Sequence, residues 1–171
     1  MHSLHFVAVN IRSAHNVGSL FRTADALGVA KIWLTGYTPT PEHAQVKKTA
    51  LGAETSVPWE HVTDPIECLE RLRRDGVRLV ALEKADRSTD LADYVPVFPI
   101  ALVLGNEVDG LTTMQIARCD EVVSIRQHGK KESLNVTIAA AIAAWGILNR
   151  SEALSLRKGF LRSAVGRPRS E

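Results

Sequence analysis

Short apolar runs alternate with segments of helical periodicity along the chain. Strands are predicted at Leu4–Val9, Lys31–Thr35, 77–82, 99–104 and 121–125. The runs at 77–82 and 99–104 are apolar almost throughout, which is typical of strands that are covered on both faces in a parallel sheet. Strands separated by helices predict an α/β fold with a mostly parallel sheet flanked by helices.

Helical periodicity is clearest at residues 17–27 and 134–149, where apolar side chains recur on one face. Asn16 stands at the predicted N-cap of the first of these helices, and Gly28 stands where that helix is expected to end. Residues 36–43 contain two prolines and a glycine and are predicted to form a loop. Shorter helices are predicted at 44–53, 64–76 and 112–118.

The composition is that of one globular domain. The chain has 171 residues, of which 45% are hydrophobic and 23% charged. Its two cysteines, Cys68 and Cys119, form neither a disulfide framework nor a C-x-x-C pair, so we expect a reducing, cytoplasmic environment. No apolar run approaches the roughly 18 residues of a membrane span, and no signal peptide is recognisable. We therefore expect no association with a membrane.

Charge is concentrated near the carboxyl terminus. The net charge of +2 combines a local +4 from residue 155 onward with −2 over the preceding residues. We therefore divide the chain into a domain at 1–150 and a basic tail at 151–171. A basic tail favours a polyanionic partner, although a tail that only increases solubility explains the charge equally well.

Common cofactor motifs are absent from the sequence. No two glycines are separated by a single residue, so the dinucleotide fingerprint G-x-G-x-x-G is missing. The pair Gly129 and Lys130 lacks the rest of a phosphate-binding P-loop, and no G-x-S-x-G nucleophile motif surrounds Ser133. The six histidines do not have the spacing of a metal site, so we expect no structural metal.

The first of three polar segments follows the strand at Leu4–Val9. Ligands bind at the carboxyl ends of strands in parallel sheets, and this segment leads into a helix whose start offers free N–H groups. Asn16 and Arg22 are six positions apart and, with those N–H groups, suit a phosphate. The alternative is a capping Asn16 with Arg22 on the surface, paired with Asp25 or a glutamate.

The other two segments follow the strands at 99–104 and 121–125. In the second, Gly105 permits a close approach to the backbone, and Glu107 with Asp109 forms either an acid–base pair or, as we favour, part of a turn. In the third, Ser133 is expected to cap a helix that begins at Leu134. Asn135 is a poor helix former unless its amide has another role, and His128 is expected to be a solvated loop residue.

Taken together, these segments resemble a known family. The stretches are NIRSAHNVGSLFRTADALGV, LVLGNEVDGL and GKKESLNVTIAAAI. They resemble, in order and spacing, the three motifs of the SpoU (TrmH-like) family of RNA ribose methyltransferases, in the SPOUT superfamily, over about residues 4–149. The resemblance implies a deep C-terminal trefoil knot, S-adenosylmethionine (S-adenosyl-L-methionine) bound in a bent form, RNA (tRNA or rRNA) as substrate, and a homodimer.

The resemblance also implies roles for individual residues. The catalytic set, by position in the motifs, is Arg22, Asn16, Glu107, Ser133 and Asn135. The cofactor is expected against Leu82, Leu104, Gly105, Asn106, Ile125 and Leu134. RNA is expected to contact Arg12, Lys130, Lys131, Arg157 and Lys158, as well as the pair Lys47 and Lys48. Family members commonly carry Pro-Met where this chain has Arg126 and Gln127.

The implied reaction joins a ribose 2′-hydroxyl to the methyl carbon of a sulfonium. Holding the two in line is worth roughly 7–11 kcal/mol. Arg22 acts either as a base or as a cation that clamps phosphate and stabilises the developing alkoxide; the guanidinium pKa of about 12.5–13.8 favours the cation. Two other hypotheses remain open at this point: a knotted RNA-binding protein without turnover, and a methyltransferase for a small molecule or peptide.

Overall fold

The computed structural model describes residues 3–130 and 133–165, with side chains up to residue 151. Seven strands form one sheet: β1 (Leu4–Val9), β2 (Lys31–Thr35), β3 (Trp59–Val62), β4 (Arg78–Leu82), β5 (Thr89–Asp90), β6 (Ile100–Leu104) and β7 (Glu121–Ser124). Six helices accompany it: α1 (Ala14–Leu27), α2 (Ala44–Ala50), α3 (Ala53–Ser56), α4 (Pro65–Arg74), α5 (Thr113–Ile116) and α6 (Val136–Val165).

Every pair of neighbouring strands is parallel, and the strand order is β3-β2-β1-β6-β4-β7-β5. The register brings Ala8 of β1 and Leu82 of β4 level with Leu104 of β6. The three central strands therefore end at the same edge of the sheet, and the loops that follow them meet there. The α/β fold with a mostly parallel sheet is confirmed, and the trefoil knot stays a prediction.

Two apolar layers cover the sheet, because successive side chains of a strand point to opposite faces. Phe6 belongs to the core cluster that α1 and α6 cover, and Val7 belongs to the cluster on the face that α4 covers. All five residues of β6 are buried. This explains the apolar run at 99–104, since β6 lies between β1 and β4 with a layer on each side.

Several predicted boundaries were wrong, each for a local reason. Ser13, not Asn16, caps α1, because the Ser13 hydroxyl accepts the N–H of Asn16. The predicted helix at 44–53 is two helices, separated where Leu51 takes a left-handed conformation with φ of 54°. The last helix begins at Val136, not Leu134, and continues to Val165. It passes through position 150, and the division there into domain and tail stays a prediction.

Two strands were not predicted from the sequence. β3 carries Glu60 and His61 at the edge of the sheet, so its sequence lacks an apolar run. β5 is two residues long, too short to give a pattern. Within residues 3–130 and 133–165, no helix has both the length and the apolar character that a membrane crossing requires.

The packing of α1 on α2 depends on Gly18. A Cβ at this position would collide with the Thr49 side chain and would lie 2.7 Å from the Val46 carbonyl oxygen. The two helices are therefore packed more closely than they could be with any larger residue at position 18. This contact matters for the site because the first turn of α1 carries Asn16.

We expect Gly18→Ala to lower the free energy of unfolding by roughly 1–2 kcal/mol, because overpacking costs more than the gain in helix propensity. Gly146→Ala is the matched control: it is also a helical glycine, and its new Cβ would lie 3.4 Å from the nearest Leu91 atom, an ordinary contact. Urea unfolding of both variants measures the difference. Equal midpoints for Gly18→Ala and the parent protein would contradict the close contact.

Candidate active site

A cleft of about 430 Å³ opens at the edge where β4 and β6 end. Three segments of the chain line it: Leu82 and Glu83 at the end of β4, residues 104–110 at the end of β6, and residues 133–136 before and at the start of α6. The loop from β1 to α1 joins the cleft through hydrogen bonds to Glu107. The site therefore combines segments that are far apart in the sequence.

Glu107 is the acceptor that holds the β1–α1 loop. Its carboxylate accepts the backbone N–H groups of Arg12 (3.0 Å) and Ser13 (3.2 Å) and the side-chain amide of Asn16 (2.8 Å). A carboxylate at this position also interacts favourably with the positive end of α1. The backbone N–H groups of Arg12 and Ser13, directly before α1, are thus occupied by a side chain of the same protein.

Asn16 links the first and third segments. It is only 8% exposed, and its side-chain oxygen accepts the amide N–H of Asn135 (3.3 Å) while its own amide donates to Glu107. The Asn135 oxygen in turn accepts the backbone N–H (2.8 Å) and the hydroxyl (2.7 Å) of Thr137. Asn135, not Ser133, therefore caps α6, and this explains an asparagine that appeared unfavourable within a helix.

The turn after β6 is fixed by close backbone packing. A Cβ on Gly105 would collide with the backbone of Gly110, so the close approach here is of the chain to itself. The Asn106 side chain accepts the N–H groups of Val108 and Asp109, both at 2.9 Å. These contacts support the turn interpretation of this segment over an acid–base pair.

The hydrogen bonds to Glu107 set its protonation state. Burial alone raises the pKa of a carboxyl group, but the N–H of Arg12, the amide of Asn16 and the N–H of Ser13 together outweigh burial and lower the pKa of Glu107. At neutral pH Glu107 is therefore a carboxylate. It serves as a hydrogen-bond acceptor that holds the loops together and does not supply protons.

Most of the residues expected at the cofactor line this cleft. Leu82, Leu104, Gly105, Asn106 and Leu134 are in its wall, together with Ser133. Ile125 lines an adjoining recess, which shares Leu82, Ser133 and Leu134 with the cleft. Glu83 was not predicted as a site residue. It also lines the cleft and accepts the N–H of Leu111 (3.1 Å), and its place directly after an apolar strand was the available signal.

Arg22 is not brought to the cleft of its own chain. It lies exposed on α1, outside the residues that line the cleft. Its side chain makes no hydrogen bond or ion pair with any other residue that the structure describes. Asp25, its suggested partner, instead accepts the Ser56 hydroxyl at 2.6 Å. Thus the structure gathers Asn16, Glu107 and Asn135 and leaves Arg22 apart.

The residues expected to contact RNA have different positions. Arg12 is exposed, and its guanidinium lies 3.7 Å from Asp109. Lys130 lines a groove with Lys84 and Arg126. Arg126, at the position where the resemblance to the family implies a proline, pairs with Asp90 at 2.9 Å. Lys131 and the side chains of Arg157 and Lys158 lie outside the described part of the chain.

The parallel sheet with its cleft at the carboxyl edge defines an α/β fold of the class found in SpoU methyltransferase structures. The chain belongs to the SpoU rRNA Methylase family, whose model matches residues 3–145. A relative from Xanthomonas axonopodis pv. citri, named 23S rRNA (guanosine-2′-O-)-methyltransferase RlmB, is 34% identical over 144 residues, 82% of this chain and 56% of the relative. The chain therefore spans just over half the length of this curated relative.

Solved structures agree with this assignment. The SpoU methyltransferase AviRb from Streptomyces viridochromogenes, in complex with AdoMet, superposes with a TM-score of 0.81 at 27% identity, over 88% of this chain and 61% of that one. A structure that addresses the 2-OH methylation of C/U34 on tRNA superposes with a TM-score of 0.79 at 26% identity. The match covers 89% of this chain and 98% of that chain.

We expect Glu107→Gln to lower the free energy of unfolding at pH 7 by about 1 kcal/mol, because the amide directs a donor at the N–H groups that the carboxylate accepts. Because the pKa of Glu107 is lowered, its contribution is complete above the ordinary glutamate value of 4.5 and is lost as the pH falls through the lower folded value. Urea unfolding at pH 7 and pH 3 tests this. If the free energies of unfolding of variant and parent differ by the same amount at both pH values, the lowered pKa of Glu107 is contradicted.

Proposed function

We propose that the protein is an S-adenosylmethionine-dependent methyltransferase that modifies a ribose 2′-hydroxyl of tRNA or rRNA. The observation that carries the proposal is the hydrogen-bonded chain from Glu107 through Asn16 to Asn135, which joins all three family motifs beside one cleft. The names of the relatives and the AdoMet complex of AviRb support the same reaction. Free Cys68 and Cys119 are compatible with the cytoplasm, where such RNAs are found.

The cleft fits the proposed cofactor in size and chemistry. Its volume of about 430 Å³ is within the range of small-ligand sites. Leu82, Leu104 and Leu134 offer apolar walls, and Gly105, packed against the backbone of Gly110, completes the wall without a side chain. When bound, S-adenosylmethionine supplies the electrophilic methyl group. Leu82, Leu104, Gly105, Asn106 and Leu134, with Ile125 in the adjoining recess, would hold it.

The polar residues of the site would hold the ribose in one orientation relative to the cleft. Asn16 is held on both sides, by Glu107 and by Asn135, so its amide has one orientation. Ser133 borders the cleft and would bind the ribose or the cofactor. Glu107, as a carboxylate fixed by three N–H donors, would preserve the arrangement and is not the base of the reaction. The proton of the 2′-hydroxyl would leave to a phosphate oxygen or to water, and Arg22, as a cation, would stabilise the developing alkoxide.

For Arg22 to take this role, a second copy of the chain is needed. The apolar residues of α6 are not confined to its buried face: Ile138, Ile142 and Trp145 are exposed, Trp145 by 61%. A helix that is apolar on all sides is normally covered on all sides. We therefore propose a homodimer through this face. Because α1 packs against α6, the dimer would bring Arg22 toward the cleft of the partner.

The domain at 1–150 would contain the reaction site, and the basic residues Arg12, Lys130, Lys131, Arg157 and Lys158 would contact RNA phosphates. A second candidate function is a knotted RNA-binding protein without turnover. The position of Arg22 outside its own cleft favours this candidate if the chain acts as a monomer.

Methyl transfer to RNA is the direct test of the proposed function. The parent protein, incubated with radiolabelled S-adenosylmethionine and tRNA or rRNA that lacks the modification, is expected to leave label in alkali-resistant dinucleotides, which indicate 2′-O-methylation. Arg22→Ala is expected to lose activity by orders of magnitude and to retain cofactor binding. Arg74→Ala, an exposed arginine on α4, is the control. Parental activity in Arg22→Ala would refute its role, and RNA binding without label would favour the second candidate.

Mixed dimers test whether Arg22 acts across the interface. A heterodimer of Arg22→Ala with Asn135→Ala has one intact cleft, and that cleft belongs to the subunit without Arg22. If the partner supplies Arg22, the heterodimer is expected to show about half of parental activity while both homodimers are inactive. An inactive heterodimer would show that Arg22 acts within its own chain.

Trp145→Glu is expected to yield a monomer in sedimentation velocity.

A further inference from the structure

Tyr37 is an exposed aromatic side chain beside the candidate active site. It is 55% exposed, and it follows β2 in the loop that leads to α2. It therefore contributes little to the core. Trp145, which is also strongly exposed, belongs to the apolar face of α6, whereas Tyr37 is accompanied by polar neighbours. An isolated exposed aromatic of this kind needs an explanation other than subunit packing.

The backbone around Tyr37 is held in an unusual conformation. Asn10 has φ of 54° and Gly36 has φ of 64°, so two adjacent turns are left-handed. The Asn10 side chain accepts the N–H of Tyr37 (3.2 Å), and a Cβ on Gly36 would collide with it. A left-handed conformation is uncommon for a residue other than glycine, although asparagine adopts it more readily than most, and here the hydrogen bond to Tyr37 holds it. The ring of Tyr37 is thus presented from a fixed backbone.

Arg12 connects Tyr37 to the cleft. The backbone N–H of Arg12 donates to Glu107, and its guanidinium lies 3.7 Å from Asp109, which lines the cleft. The same guanidinium interacts with the Tyr37 side chain, and this interaction, followed by Asp109 and Glu107, raises the pKa of Arg12. Because Asn10 accepts the N–H of Tyr37 and Arg12 is only two residues further along the chain, the tyrosine and the guanidinium lie on neighbouring loops next to Asp109 of the cleft.

An aromatic ring next to a guanidinium suits an unstacked nucleobase. Bases that are turned out of an RNA loop stack on aromatic rings and on arginine planes, and the stacking tolerates any base because every base has a π-face. The guanidinium also suits an adjoining phosphate. We propose that Tyr37 and Arg12 form a subsite that stacks a base flanking the methylated nucleotide. This inference rests on the proposed function and extends it to how the RNA is held.

Kinetics with unmodified tRNA or rRNA test the subsite. Tyr37→Ala is expected to raise the KM for RNA about five- to hundredfold, the loss expected for one stacked base. We expect kcat and the dissociation constant of S-adenosylmethionine to stay at parental values. Tyr37→Phe keeps the ring and is expected to retain the parental KM. Leu51→Ala is the control, because Leu51 is 71% exposed and does not line the cleft.

Crosslinking supplies a readout that a structural role would not change. RNA that contains 5-iodouridine, irradiated in complex with the parent, is expected to give an adduct on Tyr37 in peptide mapping. The subsite is overturned if Tyr37→Ala has the parental KM, or if Tyr37→Ala becomes monomeric in sedimentation, which would assign Tyr37 to a protein interface.

Failure of the subsite is distinguishable from failure of the proposed function. If the parent methylates RNA and Tyr37→Ala binds and turns over RNA equally well, the subsite alone is wrong. If the parent transfers no methyl group, the enzymatic function is refuted, and filter binding with total tRNA is measured in place of the KM. Weaker binding by Tyr37→Ala, but not by Tyr37→Phe, then supports the subsite. Parental binding by Tyr37→Ala in that assay refutes the subsite as well.

Discussion

The arrangement of the site depends on one carboxylate. Glu107 sits in the turn after β6 and accepts three N–H donors from the segment between β1 and the first turn of α1. Without that acceptor, Asn16 would have no fixed orientation toward Asn135, and the start of α6 would be held only by its own cap. The parallel register makes this contact possible, because it ends β1, β4 and β6 at one level of the sheet.

Helices with a periodic apolar face and strands with a continuous apolar run were predictable from the sequence. The central strands were found because β6 and most of β4 are buried on both faces, and the cleft was expected at their carboxyl ends. The sequence did not show which of two nearby polar residues would cap α1. Ser13 takes the cap position, and the Asn16 side chain instead donates a hydrogen bond to Glu107. The edge strand β3 was missed because half-buried polar residues give no apolar pattern. Arg22 was expected at the site from the family motif, and in the described chain it lies exposed on α1, outside the cleft.

In the described part of the chain, the residues that fix the geometry of the site differ in burial from those suited to contact RNA. The groups that fix geometry, such as Asn16 and the Gly105 turn, are buried or packed against backbone. The groups suited to a large polyanion, such as Arg12 and Lys130, are exposed on loops. Because these loops are held at their bases, substitutions at their exposed tips would leave the hydrogen-bonded arrangement of the site unchanged.

The position of β6 has a consequence for biogenesis. Leu4 pairs with Ile100, so a central strand is supplied only after about a hundred residues have left the ribosome. Until then, β1 and β4 each expose an unpaired apolar edge, and such edges promote association between nascent chains. Contacts of this sequence separation also slow folding. The same late insertion that aligns the three loops therefore leaves the edges of β1 and β4 unpaired until β6 has been synthesised.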